Sequence, residues 1–361
     1  MVNTSHYHFN KTVSIRYAVM KDWVTNLFYA QGMNEADAEV VADSLVDSDA
    51  RGVYSHGTQR VKMYSERIRR NCVNVTGKPY VVVDRDATAV VDGDNGMGQI
   101  VGVFAMNLAI EKAKQYGVSF VTARGSNHYG RCEYYTRMAL NHDMAGFSAT
   151  VGGGNLMAPW GGSEARVGNN PFSIAMPAEE RYPVVLDMAQ SVVAKGKIEM
   201  ALKTGSTIPK EWALDKNGIP TTNPAEGSEG SVRPIADYKG ADLAIMIGFM
   251  SSLFCGGAVG PTLKNVYKDF DGGLNKGQMF MAIDISRMID VAIYKERMKE
   301  QIDFIKETPR AMGVDEVLMP GEQEYQYFDR QIKDGIVYAV EVIAELKEMS
   351  KQLGVEIPEE I

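Results

Sequence analysis

The stretch RGVYSHGTQR, residues 51–60, gathers polar side chains around two glycines and includes one of the five histidines of the chain. If Ser55 caps a following helix, then His56, Arg60 and Tyr64 lie at i, i+4 and i+8 on one helical face, with His56 at the positive end of the helix dipole. An arginine can hold a carboxylate at two points, and an imidazole exchanges protons near neutral pH. The pattern favours proton transfer to or from a 2-hydroxy or 2-oxo acid; a histidine that only packs or caps is the alternative.

A second histidine stands at a comparable turn. The segment VSFVTARGSNHYGRCEYY reads as a strand, a glycine-flanked turn that carries His128, and a helix. Ligand sites in α/β proteins gather at such carboxyl ends of strands. Cys132 at i+4 leaves open a metal pair or a thiol nucleophile with its base, although no H-E-x-x-H motif or further nearby Cys or His supports either. His56 and His128 are therefore the candidate catalytic residues, and no metal is expected.

Two other positions have both a functional and a structural interpretation. Asp187 ends the apolar strand YPVVLDMA, where a carboxylate can orient an imidazole, contact a cofactor amide or cap a helix. Lys239 and Gly240 precede the apolar segment 243–260, where a lysine can meet a phosphate or remain a solvated loop charge.

The glycines of VVDGDNGMGQIVG are similar in spacing to those of a dinucleotide-binding loop, but they do not match its pattern. Gly96, Gly98 and Gly102 follow a strand and open a helix, but their spacing is G-x-G-x-x-x-G, and Arg124 ends the next strand in place of the expected acid. A tight turn and close helix packing are the favoured interpretation of these glycines.

The elements that must position these residues begin with helices. In NEADAEVVADSLVDSDARG, Asn34 is a typical N-cap and Gly52 a typical stop. From about Tyr80, short apolar runs alternate with helical ones, which predicts a layered α/β core.

The second half is predicted to contain a long ordered excursion and a helical tail. The excursion, residues 208–237, is rich in Pro, Gly, Thr and Asn but has Trp212, Leu214 and Ile219 as anchors. The tail from Glu322 onward, including IVYAVEVIAELKEMSKQLG, is predicted to be helical and to pack on the N-terminal helices.

Composition narrows the class of partner. Lys and Arg number 38 against 46 Asp and Glu, a net charge of −8, and no basic cluster stands out, so neither nucleic acid nor a membrane is an expected partner. Three cysteines without a C-x-x-C motif and a start without a secretory pattern indicate reduced thiols and a cytoplasmic protein. The uncharged segment 243–260 has the length of a membrane span, but it is interpreted as a helix buried between layers.

In this order, the motifs resemble the type-2 malate/L-lactate dehydrogenase family, which includes ureidoglycolate, sulfolactate, diketogulonate and cyclic-imino-acid oxidoreductases. The matching segments, spread from about residue 30 to 350, are DARGVYSHGTQRVKMY, GMGQ, SNHYG, GNNPFSIAMP, VLDMAQS, IPKEWALDKNGIPTTNP, YKGADLAIMI, GQMFMAIDISRM and LMPGEQE. The resemblance implies a non-Rossmann three-layer α/β core, helical N- and C-terminal regions packed together, and a homodimer. The implied regions are residues 1–78 (helical, carrying substrate residues), 79–310 (core) and 311–361 (C-terminal helical region).

The resemblance also implies roles for individual residues. His56 and His128 look like the acid/base pair, either of which can be the proton donor, and Arg60 and Tyr64 look like contacts to the substrate carboxylate. The implied contacts to NAD or NADP are Val184, Val185, Leu186, Asp187, Met188, Ala189, Gln190, Lys239, Gly240, Gly321 and Glu322.

We therefore expect an NAD(P)-dependent dehydrogenase of a small 2-hydroxy acid, with malate as the first substrate to test. Lactate, ureidoglycolate, sulfolactate and cyclic imino acids are alternatives of the same fold. A catalytically silent relative that binds a small ligand is the alternative from a different class.

Overall fold

The computed structural model describes residues 11–359. Its α-helices are α1 (Tyr17–Tyr29), α2 (Glu35–Ala50), α3 (Val61–Arg69), α4 (Gly98–Tyr116), α5 (Glu133–Leu140), α6 (Lys195–Thr204), α7 (Pro224–Glu229), α8 (Tyr238–Gly248), α9 (Val291–Lys306), α10 (Glu322–Asp334) and α11 (Val340–Leu353). Its strands are β1 (Thr12–Ile15), β2 (Tyr80–Arg85), β3 (Thr88–Gly96), β4 (Phe120–Ser126), β5 (Met144–Thr150), β6 (Phe172–Met176), β7 (Val184–Met188), β8 (Ala213–Leu214), β9 (Pro220–Thr221), β10 (Ser231–Val232), β11 (Lys276–Asp284) and β12 (Ile336–Ala339).

A seven-stranded sheet forms the centre, in the order β2-β3-β4-β11-β5-β6-β7. Neighbouring strands in it are antiparallel except for β3 and β4, which run parallel with α4 between them in the chain. A Rossmann domain is instead built on a mostly parallel sheet. The topology therefore confirms the prediction of a non-Rossmann α/β fold.

Helices cover both faces of this sheet. Phe280 and Ala282 of β11 point to the face covered by α4 and α5, with which they form one hydrophobic cluster. Met279 points to the other face, because side chains alternate along a strand. There it packs with Ile247 of α8 and with Met250 in the π-helical turn that continues α8. These contacts confirm the predicted three layers.

The two ends of the described chain pack together. β1 and β12 pair in antiparallel fashion, from Thr12 opposite Ala339 to Ile15 opposite Ile336. The indole N–H of Trp23 in α1 donates to the Ser350 hydroxyl in α11 at 2.8 Å. The packing of N- and C-terminal helices is thus confirmed, but the helical interpretation of IVYA is wrong, because these residues form β12 opposite β1. The region boundaries stay a prediction, and residues 1–10 and 360–361 lie outside the described part.

The helix α2 precedes the first histidine in the chain, and its two ends lie where the sequence predicts them. The Asn34 side chain accepts a hydrogen bond from the Asp37 N–H at 3.0 Å, and Gly52 has a φ of +75°. Both features are as predicted, because N-caps and left-handed stops are set by neighbouring residues.

Two apolar segments are more exposed than predicted. Within the excursion, Ala213 is buried, but the proposed anchor Ile219 is 60% exposed. On α8 and its continuation, Ala244 and Ile247 face the core, whereas Met246 and Leu253 are 55% and 54% exposed. The interpretation of 243–260 as buried between layers is therefore wrong for one face. None of the helices between residues 11 and 359 is long and apolar enough to cross a membrane.

Candidate active site

The first histidine lies in a broken turn. Tyr54–His56 and Thr58–Arg60 form two 3-10 turns separated by Gly57, and α3 begins only at Val61. The predictions that a helix starts at Ser55 and that its dipole acts on His56 were therefore wrong.

A buried carboxylate from α2 explains this break. Asp49 accepts a hydrogen bond from the Thr58 N–H at 2.8 Å, and a Cβ on Gly57 would collide with the same carboxylate. Burial raises the pKa of Asp49 to about 7. Ser55 does not cap a helix; its hydroxyl lies 2.9 Å from Nδ1 of His56. The turn is thus fixed by a contact that spacing within RGVYSHGTQR does not reveal.

The structure brings the two candidate catalytic histidines together. The rings of His56 and His128 stack with centres 5.8 Å apart and an interplanar angle of 18°. The Tyr64 hydroxyl lies 2.7 Å from Nδ1 of His128 and accepts a hydrogen bond from the Gln99 side chain at 3.0 Å. The Gly130 N–H also donates to this Nδ1, at 3.3 Å. Because a backbone N–H can only donate, Nδ1 of His128 is an acceptor and the ring proton is on Nε2.

Tyr64 therefore contacts a histidine rather than a free substrate position. Its side chain is 3% exposed, and its hydroxyl proton is directed to His128. These contacts favour a positioning role for this hydroxyl, and its contact with the substrate carboxylate stays a prediction. Gln99 was present in the matching GMGQ segment, but nothing in its spacing indicated the contact with Tyr64.

Both imidazoles are neutral at physiological pH. Burial lowers the pKa of His56 to about 3, with the nearby charges of Arg60 and Arg131 acting in the same direction. Burial also lowers the pKa of His128 well below 6.5, helped by His56, Arg60 and Lys276. Since the rings are stacked, a positive charge on one disfavours a charge on the other.

Arg60 lies on the α3 side of this pair. Its Nε donates to the Ser55 carbonyl oxygen at 2.5 Å, and its guanidinium lies 5.5 Å from the ring centre of Tyr267. It lines a cavity of about 1160 Å³ between α3 and α11, whereas His56 lines a different one of about 380 Å³. The expected convergence of the two side chains on one cavity is thus not found, although the Arg60 charge reaches both imidazoles.

A buried ionic cluster anchors the His128 turn to α2. Asp47 pairs with Arg51 at 3.2 Å, with Arg131 at 2.6 Å and with Arg137. Arg131 also pairs with Glu133 at 2.5 Å. Burial opposes ionisation of Asp47, but the three arginines outweigh it and lower the pKa of this carboxyl. Sequence reasoning missed this cluster because its members are charges from separate segments, without a motif spacing.

The predicted cofactor residues of β7 lead to the His56 cavity. Val184–Met188 form the edge strand, and Ala189 lines the cavity together with Ser191 and Trp212. Gln190 is fully buried, and neither Nε2 nor Oε1 of its side chain has a hydrogen-bond partner within residues 11–359. Such an orphaned amide suits a ligand that carries a carboxamide.

Asp187 lies in β7 and Gly321 and Glu322 lie beside it, and these residues have partners within the protein. Asp187 accepts a hydrogen bond from the N–H of Glu133, the first residue of α5, at 3.0 Å, which agrees with the helix-capping interpretation. Its contact with the cofactor stays a prediction. Burial and the charge of Glu133 raise the pKa of Asp187. A Cβ on Gly321 would lie 2.6 Å from the Val185 carbonyl oxygen.

Glu322 is also occupied by protein groups. Its carboxylate pairs with Lys306 and accepts from the Met319 N–H at 2.9 Å. A direct contact of Glu322 with the cofactor would therefore compete with these bonds, and it stays a prediction.

Of the remaining candidate residues, one is exposed and the others are closely packed. Lys239 is exposed at the start of α8, while a Cβ on Gly240 would collide with the Ile235 backbone. Gly98 is equally constrained, since a Cβ there would collide with the backbone of the His128 turn, which confirms close packing as its interpretation. The Cys132 thiol is buried beside Tyr129, and burial raises its pKa, which disfavours a thiolate nucleophile.

Comparison with known proteins identifies the family. A family model described as malate/L-lactate dehydrogenase matches residues 15–347. The chain belongs to this family. It is 38% identical over 333 residues to a malate dehydrogenase of Pyrococcus horikoshii, covering 90% of this chain and 91% of that protein. It is 39% identical over 331 residues to an L-sulfolactate dehydrogenase of Methanocaldococcus jannaschii, covering 91% and 94%.

Solved structures of family members have the same fold. The Pyrococcus horikoshii malate dehydrogenase matches with a TM-score of 0.87 at 33% identity, covering 97% of this chain and 99% of the other. The Methanocaldococcus jannaschii sulfolactate dehydrogenase matches with a TM-score of 0.89 at 36% identity, covering 95% and 98%. The predicted family and its type of core are thereby confirmed, and the chain is an oxidoreductase of the 2-hydroxy acid dehydrogenase class.

Proposed function

We propose that this protein catalyses NAD(P)-dependent hydride transfer between nicotinamide and a small 2-hydroxy or 2-oxo carboxylate, with malate and oxaloacetate as the first pair to test. The observation that carries the proposal is the stacked pair of neutral imidazoles at 5.8 Å. The malate and sulfolactate dehydrogenases among the relatives support the choice of substrate class.

The hydrogen bonds around the two histidines favour a different role for each ring. His128 has its proton on Nε2, so it is suited to donate a hydrogen bond to the substrate oxygen. His56 can donate from Nδ1 to the Ser55 hydroxyl, which leaves the Nε2 lone pair free to take the hydroxyl proton during oxidation. The same imidazole, once protonated, returns that proton during reduction. Bound NAD(H) supplies or accepts the hydride.

Arg60 is proposed to bind the substrate carboxylate. Its charge already acts on both imidazoles, so an anion bound beside it would be coupled to them electrostatically, although Arg60 and His56 line different cavities. We expect Arg60→Gln to raise the KM for the acid by about 10-fold or more, as for loss of a hydrogen-bonded charge pair. Arg287→Gln is the control, since its guanidinium donates to the Lys114 carbonyl oxygen at 2.7 Å on the surface and does not line this cavity. An unchanged KM in Arg60→Gln would exclude this role.

The proposed cofactor contacts are those around β7. The unpartnered amide of Gln190 and the cavity wall formed by Ala189 and Ser191 fit a carboxamide-bearing ring. Gly321 and Gly240 pack closely on the backbones of Val185 and Ile235, so they shape the surroundings of this cavity, whereas Lys239 can reach a phosphate from its exposed position. The choice between NAD and NADP is left to a titration with both.

The decisive assay follows the absorbance of NADH or NADPH with oxaloacetate, pyruvate, 3-sulfopyruvate and a cyclic imino acid. Rapid loss of absorbance with an oxo acid is the expected result, and turnover of only the imino acid would indicate imine reduction. The variants His56→Asn and His128→Asn should lose at least about 100-fold in kcat. Cofactor binding without turnover in every case, unchanged by either variant, would favour the catalytically silent alternative.

A homodimer is proposed from the apolar face of α8. Met246 and Leu253 are more than half exposed on one side of the segment, and Phe254, 61% exposed, extends the face. Large exposed apolar patches mark association surfaces. Light scattering should show a dimer in the parent protein and a monomer in Met246→Glu, while Met312→Glu, at an exposed methionine outside this face, should remain dimeric. A monomeric parent protein would contradict the proposal.

A further inference from the structure

The cavity beside His56 holds a basic group without an assigned role. This cavity, of about 380 Å³, lies between the His56 turn, the segment that leads from β7 into α6, and the start of α10. Its wall includes Ala189, Trp212 and Lys197. Lys197 belongs to the first turn of α6, only a few residues beyond the proposed cofactor strand.

The ammonium of Lys197 has neither a carboxylate nor a hydrogen-bond acceptor among the groups of the described chain, although the side chain is only partly exposed. Its neighbour Lys195 differs, because Nζ of Lys195 donates to the Ser228 carbonyl oxygen at 3.2 Å. A half-buried cation that faces a cavity without a counter-charge has the electrostatics of an anion-binding group.

The rest of the wall includes one arginine and one glutamate. Arg51 lines the same cavity, is 4% exposed, and has no hydrogen-bond partner for Nη1 within residues 11–359. Its guanidinium lies between the rings of Tyr325 and Phe328, at 4.5 and 4.6 Å from their centres. Glu324 is the acidic residue of the wall, and burial raises the pKa of its carboxyl. Arg51 is paired with Asp47 at 3.2 Å, so Lys197 is the basic group of this wall that has no carboxylate partner among the described residues.

The backbone supports an anion at the same place. Ala194 is the N-cap of α6, and it has no side-chain acceptor for the first amides of that helix. Unsatisfied amides at a helix N-terminus favour a negative ligand. Here they stand next to the Lys197 side chain.

We propose that Lys197 binds the diphosphate of the dinucleotide, with the first turn of α6 beneath it. This inference rests on the proposed function. The diphosphate is favoured over a second acid group of the substrate because α6, which carries Lys197, is the helix that follows the proposed cofactor strand in the chain, whereas the substrate carboxylate is assigned to Arg60. No covalent step involves Lys197.

The test is a titration of Lys197→Met with NADH and NADPH, followed by the fluorescence of the reduced ring in the absence of substrate. The expected result is an increase in Kd of about 10- to 100-fold for both cofactors, as for loss of a charged hydrogen bond. Lys197→Arg should recover part of the affinity. Lys203→Met removes the same charge from the exposed far end of α6 and should leave Kd unchanged.

Each other outcome overturns the inference. A loss confined to NADPH would place the 2′-phosphate at Lys197, and a change only in the KM for the oxo acid would place the substrate there. An unchanged Kd in Lys197→Met would remove Lys197 from the site while leaving the proposed function intact. Failure of the parent protein to bind either cofactor would instead refute the proposed function itself.

Discussion

Replacing Tyr64 with phenylalanine tests how the site is organised. The ring, which packs 6.5 Å from that of Phe28, would remain, and only the hydroxyl between Gln99 and His128 would be lost. Removing one partner of a buried hydrogen bond costs about 1 to 3 kcal/mol. If the bond to His128 is fully used in the transition state, the same energy lowers kcat by about 5- to 150-fold. The Gly130 N–H still contacts Nδ1, so a residual rate is expected.

Steady-state kinetics separate the two roles considered for Tyr64. A residue that positions His128 affects kcat and leaves the KM for the oxo acid nearly unchanged, whereas a residue that binds the substrate carboxylate raises KM. Tyr134→Phe is the matched control, because its hydroxyl bonds to the Asp43 carboxylate at 2.9 Å on α2. It should lose stability but not turnover. A raised KM with unchanged kcat in Tyr64→Phe would refute the positioning role.

Three further outcomes follow from the contacts around the histidines. Gly57→Ala would push the Asp49 carboxylate away from the Thr58 N–H. We expect the free energy of unfolding, measured in urea, to fall by about 2 to 4 kcal/mol and kcat to fall strongly. An unfolding free energy equal to that of the parent protein would contradict the clash. Asp47→Asn leaves buried arginines without their counter-charge and should lower the free energy of unfolding by about 3 to 5 kcal/mol. The control Glu66→Gln removes a charge from an exposed pair and should lower it by less than about 1 kcal/mol. The pKa of His56 falls from 6.5 to about 3 on folding, so over this window the unfolded chain binds the extra proton and stability should fall as the pH falls. The fall should be smaller in His56→Gln; equal slopes would show that His56 is not the group responsible.

The elements predicted best are those fixed by neighbouring residues. Helix caps and hydrophobic periodicity depend on residues close together in the chain. The sequence therefore predicts the Asn34 cap, the Gly52 stop and the alternation of strands and helices correctly. The strand Ile336–Ala339 was read as helix, since its partner Thr12–Ile15 is more than 300 residues away in the chain. Pairing across the fold outweighed a pattern that fits a helix equally well.

The site was predictable in its residue types but not in its connections. His56 and His128 were identified from glycine-flanked turns, and the structure stacks their rings. The helix expected at His56 is absent from the described turn because Asp49, which precedes the motif, takes the Thr58 N–H. A hydrogen bond from outside a motif can therefore override the local helical preference inside it.

The arginines near the histidines influence the proposed proton transfer through the pKa of His56. Burial, helped by the charges of Arg60 and Arg131, holds the pKa of His56 down and keeps its ring neutral. In the proposed mechanism, the neutral ring is the form that accepts a proton during oxidation. A carboxylate bound beside Arg60 would offset that part of the shift, so the pKa of His56 would rise on binding although its burial remains. If Arg60 binds the acid as proposed, binding therefore makes the imidazole more basic. The buried Asp47 cluster matters to this balance because it fixes the position of Arg131, at 2.6 Å from Asp47.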